Sequence, residues 1–261
     1  MSMREKLIAL SMMKRGDWLS MYQVLKKDQF LMTIKEEVVK DQLSELNAVV
    51  VTIIDEQYPE AFKEMRMPPF VLFCQGDIRL LKGAKIGVIG NKKPTNYGIS
   101  ACKALLPALL QQELVVVSGL QTGIEALAHQ LALTRGKSLA FLPSGFDYIY
   151  PVECRKLYRQ LAKEHLVVTE LPPKTKPSWR QYFRSYRLLQ SLSDVLAVFE
   201  LERSDLRLAH LQNSIDDGKP IFALPDHYDS LKSGGCLSLI DGGANCLTDY
   251  QKISNTIKKW I

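Results

Sequence analysis

Along residues 1–47, apolar side chains recur at helical spacing. They are Leu7, Leu10, Trp18, Met21, Leu25 and Phe30, with Gly16-Asp17 as a break. A second segment, Thr33–Leu46, carries Ile34, Val38 and Leu43; Thr33 is placed to cap it, with Glu36 three residues on. From Ala48 the pattern changes. Ala48–Ile54 is a β-branched run, and Pro68-Pro69 precedes a strand-like run at Phe70–Cys74, closed by the turn Gly76-Asp77. A regular alternation follows. Strands are predicted at Lys85–Ile89, Leu114–Val117, Ser138–Leu142, Leu166–Thr169, Val195–Phe199 and Ile221–Leu224, the last of them. Helices are predicted at Tyr97–Gln112, Gly123–Thr134, Pro151–Lys163, Trp179–Leu192 and Leu206–Asp216. Pro107 is expected to kink or split the first helix, and Ser178 to cap the fourth. Strands this apolar need helices on both faces. The pattern therefore predicts an α/β fold with an open, mainly parallel, doubly wound sheet.

Three regions result: a helical lead-in over 1–47, an α/β body over 48–250, and a short basic tail over 251–261. The lead-in is either a packing appendage or a protein-contact module, and the residues leave both open. Composition agrees with a globular chain: 46% hydrophobic and 24% charged, which excludes disorder and coiled coil. The longest apolar stretches are far too short for a membrane span, and the N-terminus predicts no secretory signal. A cytoplasmic address is the expectation. Five cysteines lie scattered, none in a Cys-x-x-Cys pair, so neither a disulfide framework nor a zinc knuckle is expected.

The net charge is +6, and its distribution matters more than its sum. Between Pro151 and Gln190 there are nine basic residues against three acidic ones. The rest of the chain is neutral, so one basic stretch on a balanced body points to a polyanion partner.

In doubly wound sheets ligands sit beyond the carboxyl ends of the strands. Three ends combine glycine with hydroxyl or cationic groups. They are Gly90-Asn91-Lys92-Lys93, Ser118-Gly119-Leu120-Gln121-Thr122-Gly123, and Pro143-Ser144-Gly145-Phe146. Glycine admits close approach by backbone N–H groups, and a helix N-terminus adds partial positive charge. The combination suits phosphate. Neither the Gly-x-x-x-x-Gly-Lys-Ser/Thr loop nor Gly-x-Gly-x-x-Gly occurs, and no acidic residue is placed for a ribose. No cofactor is expected. None of His129, His165, His210 and His227 falls in a catalytic motif, and no nucleophile–base pair or metal set emerges. His129 is expected to pack.

The segment Trp179-Arg180-Gln181-Tyr182-Phe183-Arg184-Ser185-Tyr186-Arg187 is also informative. At helical spacing Arg180, Arg184 and Arg187 share a face, with Trp179, Phe183 and Tyr186 on a neighbouring one. Arginine binds phosphate and aromatic rings stack on unpaired bases, which fits a single strand. An ordinary amphipathic helix, aromatics inward and arginines in water, fits as well.

Together these residues resemble the DprA/Smf family of bacterial DNA-processing proteins over about Tyr58–Thr248. The resemblance rests on an ordered series. It includes Tyr58-Pro59, Pro68-Pro69, Val88-Ile89-Gly90, Val117-Ser118-Gly119-Leu120 with Gly123-Ile124, and Ala128-His129. It continues through Gly145, Tyr150-Pro151, Glu170, Leu192-Ser193, Gly218-Lys219-Pro220, Phe222-Ala223-Leu224-Pro225 and Gly243-Ala244. It implies an extended Rossmann-like domain that binds single-stranded DNA. It also implies loading of the RecA recombinase during natural transformation, a homodimer, and no enzymatic turnover. This chain departs from the family pattern at the pocket. Gly-Ser-Arg reads Gly90-Asn91-Lys92, Arg-Asn-Arg reads Ser185-Tyr186-Arg187, Ser-Gly-Ser falls at Asp205-Leu206-Arg207, and Pro-Gly reads Pro225-Asp226. A terminal aspartate of the family motif becomes Glu125. No counterpart of the winged helix that some members carry is expected after the domain.

The expected contacts are therefore as follows. Gly90, Lys92 and Lys93 meet phosphate; Ser118, Gly119, Thr122 and Gly123 supply N–H and hydroxyl donors. Gly145 forms the third turn, Phe146 stacks a base, and Arg184 and Arg187 add charge. Two rival readings remain at this stage: a nucleotide-binding enzyme or sensor on a related fold, and a RecA-interaction protein with weak DNA affinity.

Overall fold

The computed structural model describes residues 2–27, 37, 40, 44 and 46–258. The lead-in begins with two helices, α1 (Met3–Met13) and α2 (Trp18–Lys26). Ser2 and Glu5 form a reciprocal capping box on α1, and Asp17 caps α2. Gly16, at φ +67°, turns the chain between them. Phe30 lies outside the described residues, as does nearly all of the predicted Thr33–Leu46 helix.

Nine strands form one sheet among the described residues: β1 (Val49–Thr52), β2 (Val71–Gly76), β3 (Lys85–Gly90), β4 (Val115–Gly119), β5 (Lys137–Phe141), β6 (Leu166–Thr169), β7 (Val195–Phe199), β8 (Ile221–Ala223) and β9 (Asn245–Cys246). Their order is β1-β2-β6-β5-β4-β3-β7-β8-β9. β1 and β2 run antiparallel to their neighbours, and every other pairing is parallel. The chain steps outward from β3 through β4, β5 and β6, then resumes on the other side of β3 with β7. The switch point thus lies between β3 and β7.

Side chains alternate across the sheet with period two. Leu139, Val117, Leu196 and Val198 face one layer; Val88, Val116, Ala197 and Phe199 face the other. The first layer comprises α3 (Glu60–Lys63), α7 (Trp179–Leu192), α8 (Arg207–Asp216) and α9 (Gly234–Asp241). The second comprises α4 (Asn96–Leu110), α5 (Ile124–Arg135), α6 (Arg155–Glu164) and α10 (Tyr250–Ile257). The lead-in extends this layer: Leu7, Ile8, Leu10 and Met21 bury against Val50, Val71 and Phe73.

The structure narrows one expectation and corrects two. The helix containing Pro107 is not split but continues through that residue as one element. Ile221–Ala223 is not the last strand, because β9 pairs beyond it through Phe222↔Asn245 and Ala223↔Cys246. The expected basic tail is largely helix α10, which buries Ile253 and Ile257 in the core beside Leu247. At the β1 rim, Arg4 donates to the Val50 carbonyl (2.5 Å) and the Thr52 N–H donates to Asp55 (2.9 Å). Arg4 and Asp55 also pair at 3.0 Å. Among the described residues no helix is long and apolar enough to cross a membrane.

Candidate nucleic-acid interface

The loops after β3 and β4 interlock at the switch point. Gly123 has φ +80°, and a Cβ there would lie 2.2 Å from the Asn91 carbonyl oxygen and 2.6 Å from that of Lys92. Only glycine permits this approach. Asn91 is buried; its carbonyl accepts from the Ile124 N–H at 3.1 Å and its side-chain amide donates to the Lys232 carbonyl at 2.9 Å. Glu200, fully buried and itself at φ +52°, accepts from the Thr95 N–H at 2.8 Å and from the Thr95 hydroxyl. These bonds hold the loop from below, so Lys92 and Lys93 project into solvent. Lys92 sits 5.2 Å from the centroid of the Tyr182 ring. The substituted Asp226 does similar work in the next loop, accepting from the His227 N–H, Ser230 and Ser233 at 2.7–2.8 Å.

The floor of the crevice is a closed ionic network. Arg207 donates to Glu125 Oε1 (2.8 Å), to the Tyr186 hydroxyl (2.7 Å), to the Gly90 carbonyl (3.0 Å) and to both Asp205 oxygens (2.8 and 2.9 Å). Tyr186 donates its hydroxyl to Glu125. Glu125 lies in the first turn of α5, where the helix dipole favours a carboxylate. Burial pushes the Glu125 carboxyl up, and the Arg207 guanidinium opposes that shift. Burial would also raise Asp205, but its hydrogen bonds and charge interaction with Arg207 reverse this and hold its carboxyl below the usual range. The guanidinium that replaces the third residue of the family's small turn is therefore consumed internally.

An aromatic wall rises beside this floor. Trp179 is 67% exposed and Leu206 72% exposed, at the solvent edges of α7 and α8. Trp179 meets Phe183 edge-on at 6.2 Å, and Phe183 meets His210 at 5.4 Å. The Arg180 guanidinium lies 5.4 Å from the Trp179 ring. Lys92, Tyr182, Phe183, Trp179, Leu206 and Asp205 line one cleft of about 380 Å³.

The structure brings Gly90, Lys92, Lys93, Gly119, Thr122 and Gly123 to this crevice, but not all as donors. The Gly119 carbonyl accepts from His129 Nε2 at 2.7 Å, and a Cβ on Gly119 would lie 2.5 Å from Glu125. Thr122 points its hydroxyl at the Lys92 carbonyl, 3.3 Å away. Ser118 is fully buried and donates to the Val88 carbonyl at 2.6 Å, inside the sheet. His129 packs as expected, between Gly119 and Ser138, and burial pushes its imidazole down to about 4. Gly145 and Phe146 lie elsewhere. Gly145 is buried and donates to the Thr175 carbonyl at 2.9 Å, and Phe146 packs between two core clusters, 6.5 Å from Tyr158.

Arg184 and Arg187 are not free cations. Glu170, 5% exposed at the end of β6, takes Arg184 Nε at 2.9 Å and pairs with Arg187 through its second oxygen. Arg184 also donates to the Gly16 carbonyl (2.7 Å) and Arg187 to the Met67 carbonyl (2.9 Å). Glu170→Ala would strand both guanidinium groups in half-buried positions. Charged hydrogen bonds of this kind set an expected loss of about 2 kcal/mol, read as a lower urea midpoint.

The wall of Trp179, Tyr182, Phe183, Leu206 and His210 was absent from the site deduced from sequence, although the aromatic and basic pattern of Trp179–Arg187 signals it. Leu206 and His210 carry no such signal, since only the approach of α8 to α7 sets them beside Phe183.

Residues 49–258 match the family model for DNA recombination-mediator protein A. The chain is 32% identical to DNA processing protein DprA of Bacillus subtilis, over 78% of this chain and 69% of that protein. The X-ray structure of DprA from Streptococcus pneumoniae superposes with a TM-score of 0.80 at 28% identity, covering 86% of this chain and 79% of that one. The structure of DNA processing protein A from Helicobacter pylori, solved for its single-stranded DNA binding mode, has a TM-score of 0.74 at 27% identity. It covers 83% of this chain and 98% of that one.

Proposed function

The chain belongs to the DNA recombination-mediator protein A family, and from that premise we propose that it binds single-stranded DNA over the β3–β7 crevice, with bases on the aromatic wall and phosphates on Lys92 and Lys93. The observation that carries this reading is the cleft itself: exposed Trp179 and half-buried Phe183 beside Lys92 over Tyr182, at a switch point. Arg180, not Arg184 or Arg187, supplies the further charge. Loading of RecA, homodimerisation and a cytoplasmic setting during natural transformation belong to the same proposal. The family's description as a recombination mediator supports the recombinase part of it.

Fluorescence anisotropy with oligo-dT across a salt series tests the DNA reading. Affinity falls as salt rises, because bound phosphates release counterions. For a single strand each contact adds about 0.7 to the log–log slope, so Lys92→Ala/Lys93→Ala lowers it by about 1.4. Absence of binding at low salt overturns the reading.

One observation favours a second reading, a RecA-interaction protein with weak DNA affinity. Glu125 and Asp205 put two carboxylates at the crevice floor and Arg207 is spent on them. RecA retained in a pull-down without DNA, combined with no oligo-dT binding, selects it.

A further inference from the structure

The N-terminal turn lies outside the matched family region, which begins at residue 49. It is nevertheless fixed to the body with care. Gly16 at φ +67° brings its backbone so close to the end of β6 that a Cβ would sit 2.8 Å from the Glu170 carbonyl oxygen. Arg184, anchored on Glu170, donates to the Gly16 carbonyl. The neighbour Arg15 is held at φ +52° and is exposed. It faces the connector between β6 and α7 across a cleft of about 760 Å³, lined also by Met12, Asp147, Pro172, Lys176 and Gln181. Lys176 lies 5.7 Å from the ring of half-exposed Tyr148. Gln181 Oε1, in the cleft wall, is buried without a donor. A buried acceptor left unpaired costs free energy until a donor reaches it.

Arg15 and Lys176, with Lys174 also in the lining, and an orphan acceptor in the wall are complementary to one nucleotide: a phosphate for Arg15 and Lys176, and an N–H on a base edge for Gln181. The cleft also adjoins the first. Gln181 precedes Tyr182, whose hydroxyl accepts from Gln121 at the end of β4, and Tyr182 carries Lys92 on its ring. Asp147 is the opposing charge among the lining residues; it repels phosphate and leaves a net positive rim. We infer that this cleft is a second subsite for the same single strand, so that the N-terminal helices lengthen the DNA track. The inference rests on the single-strand reading above, and assigns Arg184 a positioning role: it docks the turn that presents Arg15.

The test uses the full chain and two oligo-dT probes, of about 5 and about 15 nucleotides, the range spanned by single-strand grooves. The variant is Arg15→Asn/Lys176→Gln, because asparagine tolerates left-handed backbone. Loss of two phosphate contacts is expected to weaken the long probe about tenfold and lower its salt slope by about 1.4, with the short probe unchanged. Gln181→Leu is expected to weaken the long probe several-fold while Tm holds or rises, since an unpaired buried acceptor is removed. Equal loss on both probes, or no loss on the long one, overturns the second subsite and leaves the first intact. Wild-type chain that binds neither probe overturns both.

Discussion

Arg207→Met is expected to unfold about 3–5 kcal/mol more readily than the parent chain at pH 7, the range for removing one partner of a buried ion pair. The reason is local. Glu125 is wholly buried, Tyr186 nearly so, and Arg207 joins both to Asp205. Methionine fills the volume but leaves the Glu125 carboxylate with only Tyr186 and the Gln121 N–H. The pH dependence has a definite sign. Burial already raises the Glu125 carboxyl, and loss of the guanidinium raises it further. A carboxyl held above its unfolded value favours the fold most at acid pH, and that advantage disappears as pH rises through the raised value. The deficit of Arg207→Met therefore shrinks as pH falls from 7 toward the ordinary carboxylate range. Adding Glu125→Gln recovers part of the loss at pH 7, a coupling that independent sites would not show. Urea melts at several pH values read all of this. A deficit under about 1 kcal/mol would mean the network is not held as described.

Trp179→Ala is expected to weaken oligo-dT binding about tenfold to a hundredfold. Base stacking on an aromatic ring is worth about 1–3 kcal/mol, and about 1.4 kcal/mol is one decade of affinity. Trp179 is mostly exposed, so stability should hardly change; that separates a binding loss from a folding loss. Trp179→Phe should keep most of the affinity because a ring face remains. Phe183→Ala should lose affinity and also some stability, since its ring packs on His210. The relative weight of the two terms shifts with salt: phosphate contacts at Lys92 and Lys93 fade, whereas stacking does not. At high salt the tryptophan variant should therefore stand further from the parent than the lysine variant does. Unchanged binding by Trp179→Ala removes the aromatic wall from the site.

The sequence carried most of the architecture because the strands are buried on both faces and read as unbroken apolar runs. Helix α7 begins and ends as predicted because a side-chain cap, Ser178, marks its start. β9 was invisible: two residues, Asn245 and Cys246, are too short a run to read as a strand and become one only by pairing with β8. The crevice was legible in outline through its glycines, yet the fate of its charges was not. Periodicity gives Arg184 and Arg187 a common face, but their partner is Glu170, which the fold delivers from a strand end. The carboxylate at Asp205 stands out by comparison with the family pattern. That Arg207 would turn back on it, and on Glu125 eighty-two positions away, is a tertiary fact.

Both rims of the sheet bear on how copies of this chain would pack side by side on a bound strand, were DNA held as proposed. One rim is only two residues long, and at the other the outward-facing Val50 carbonyl and Thr52 N–H are already claimed by Arg4 and Asp55. Free backbone of that kind is what lets neighbouring sheets zip together into polymers. Here it is either too short or occupied at the Val50 carbonyl and Thr52 N–H, which disfavours fusion of neighbouring copies through their sheets.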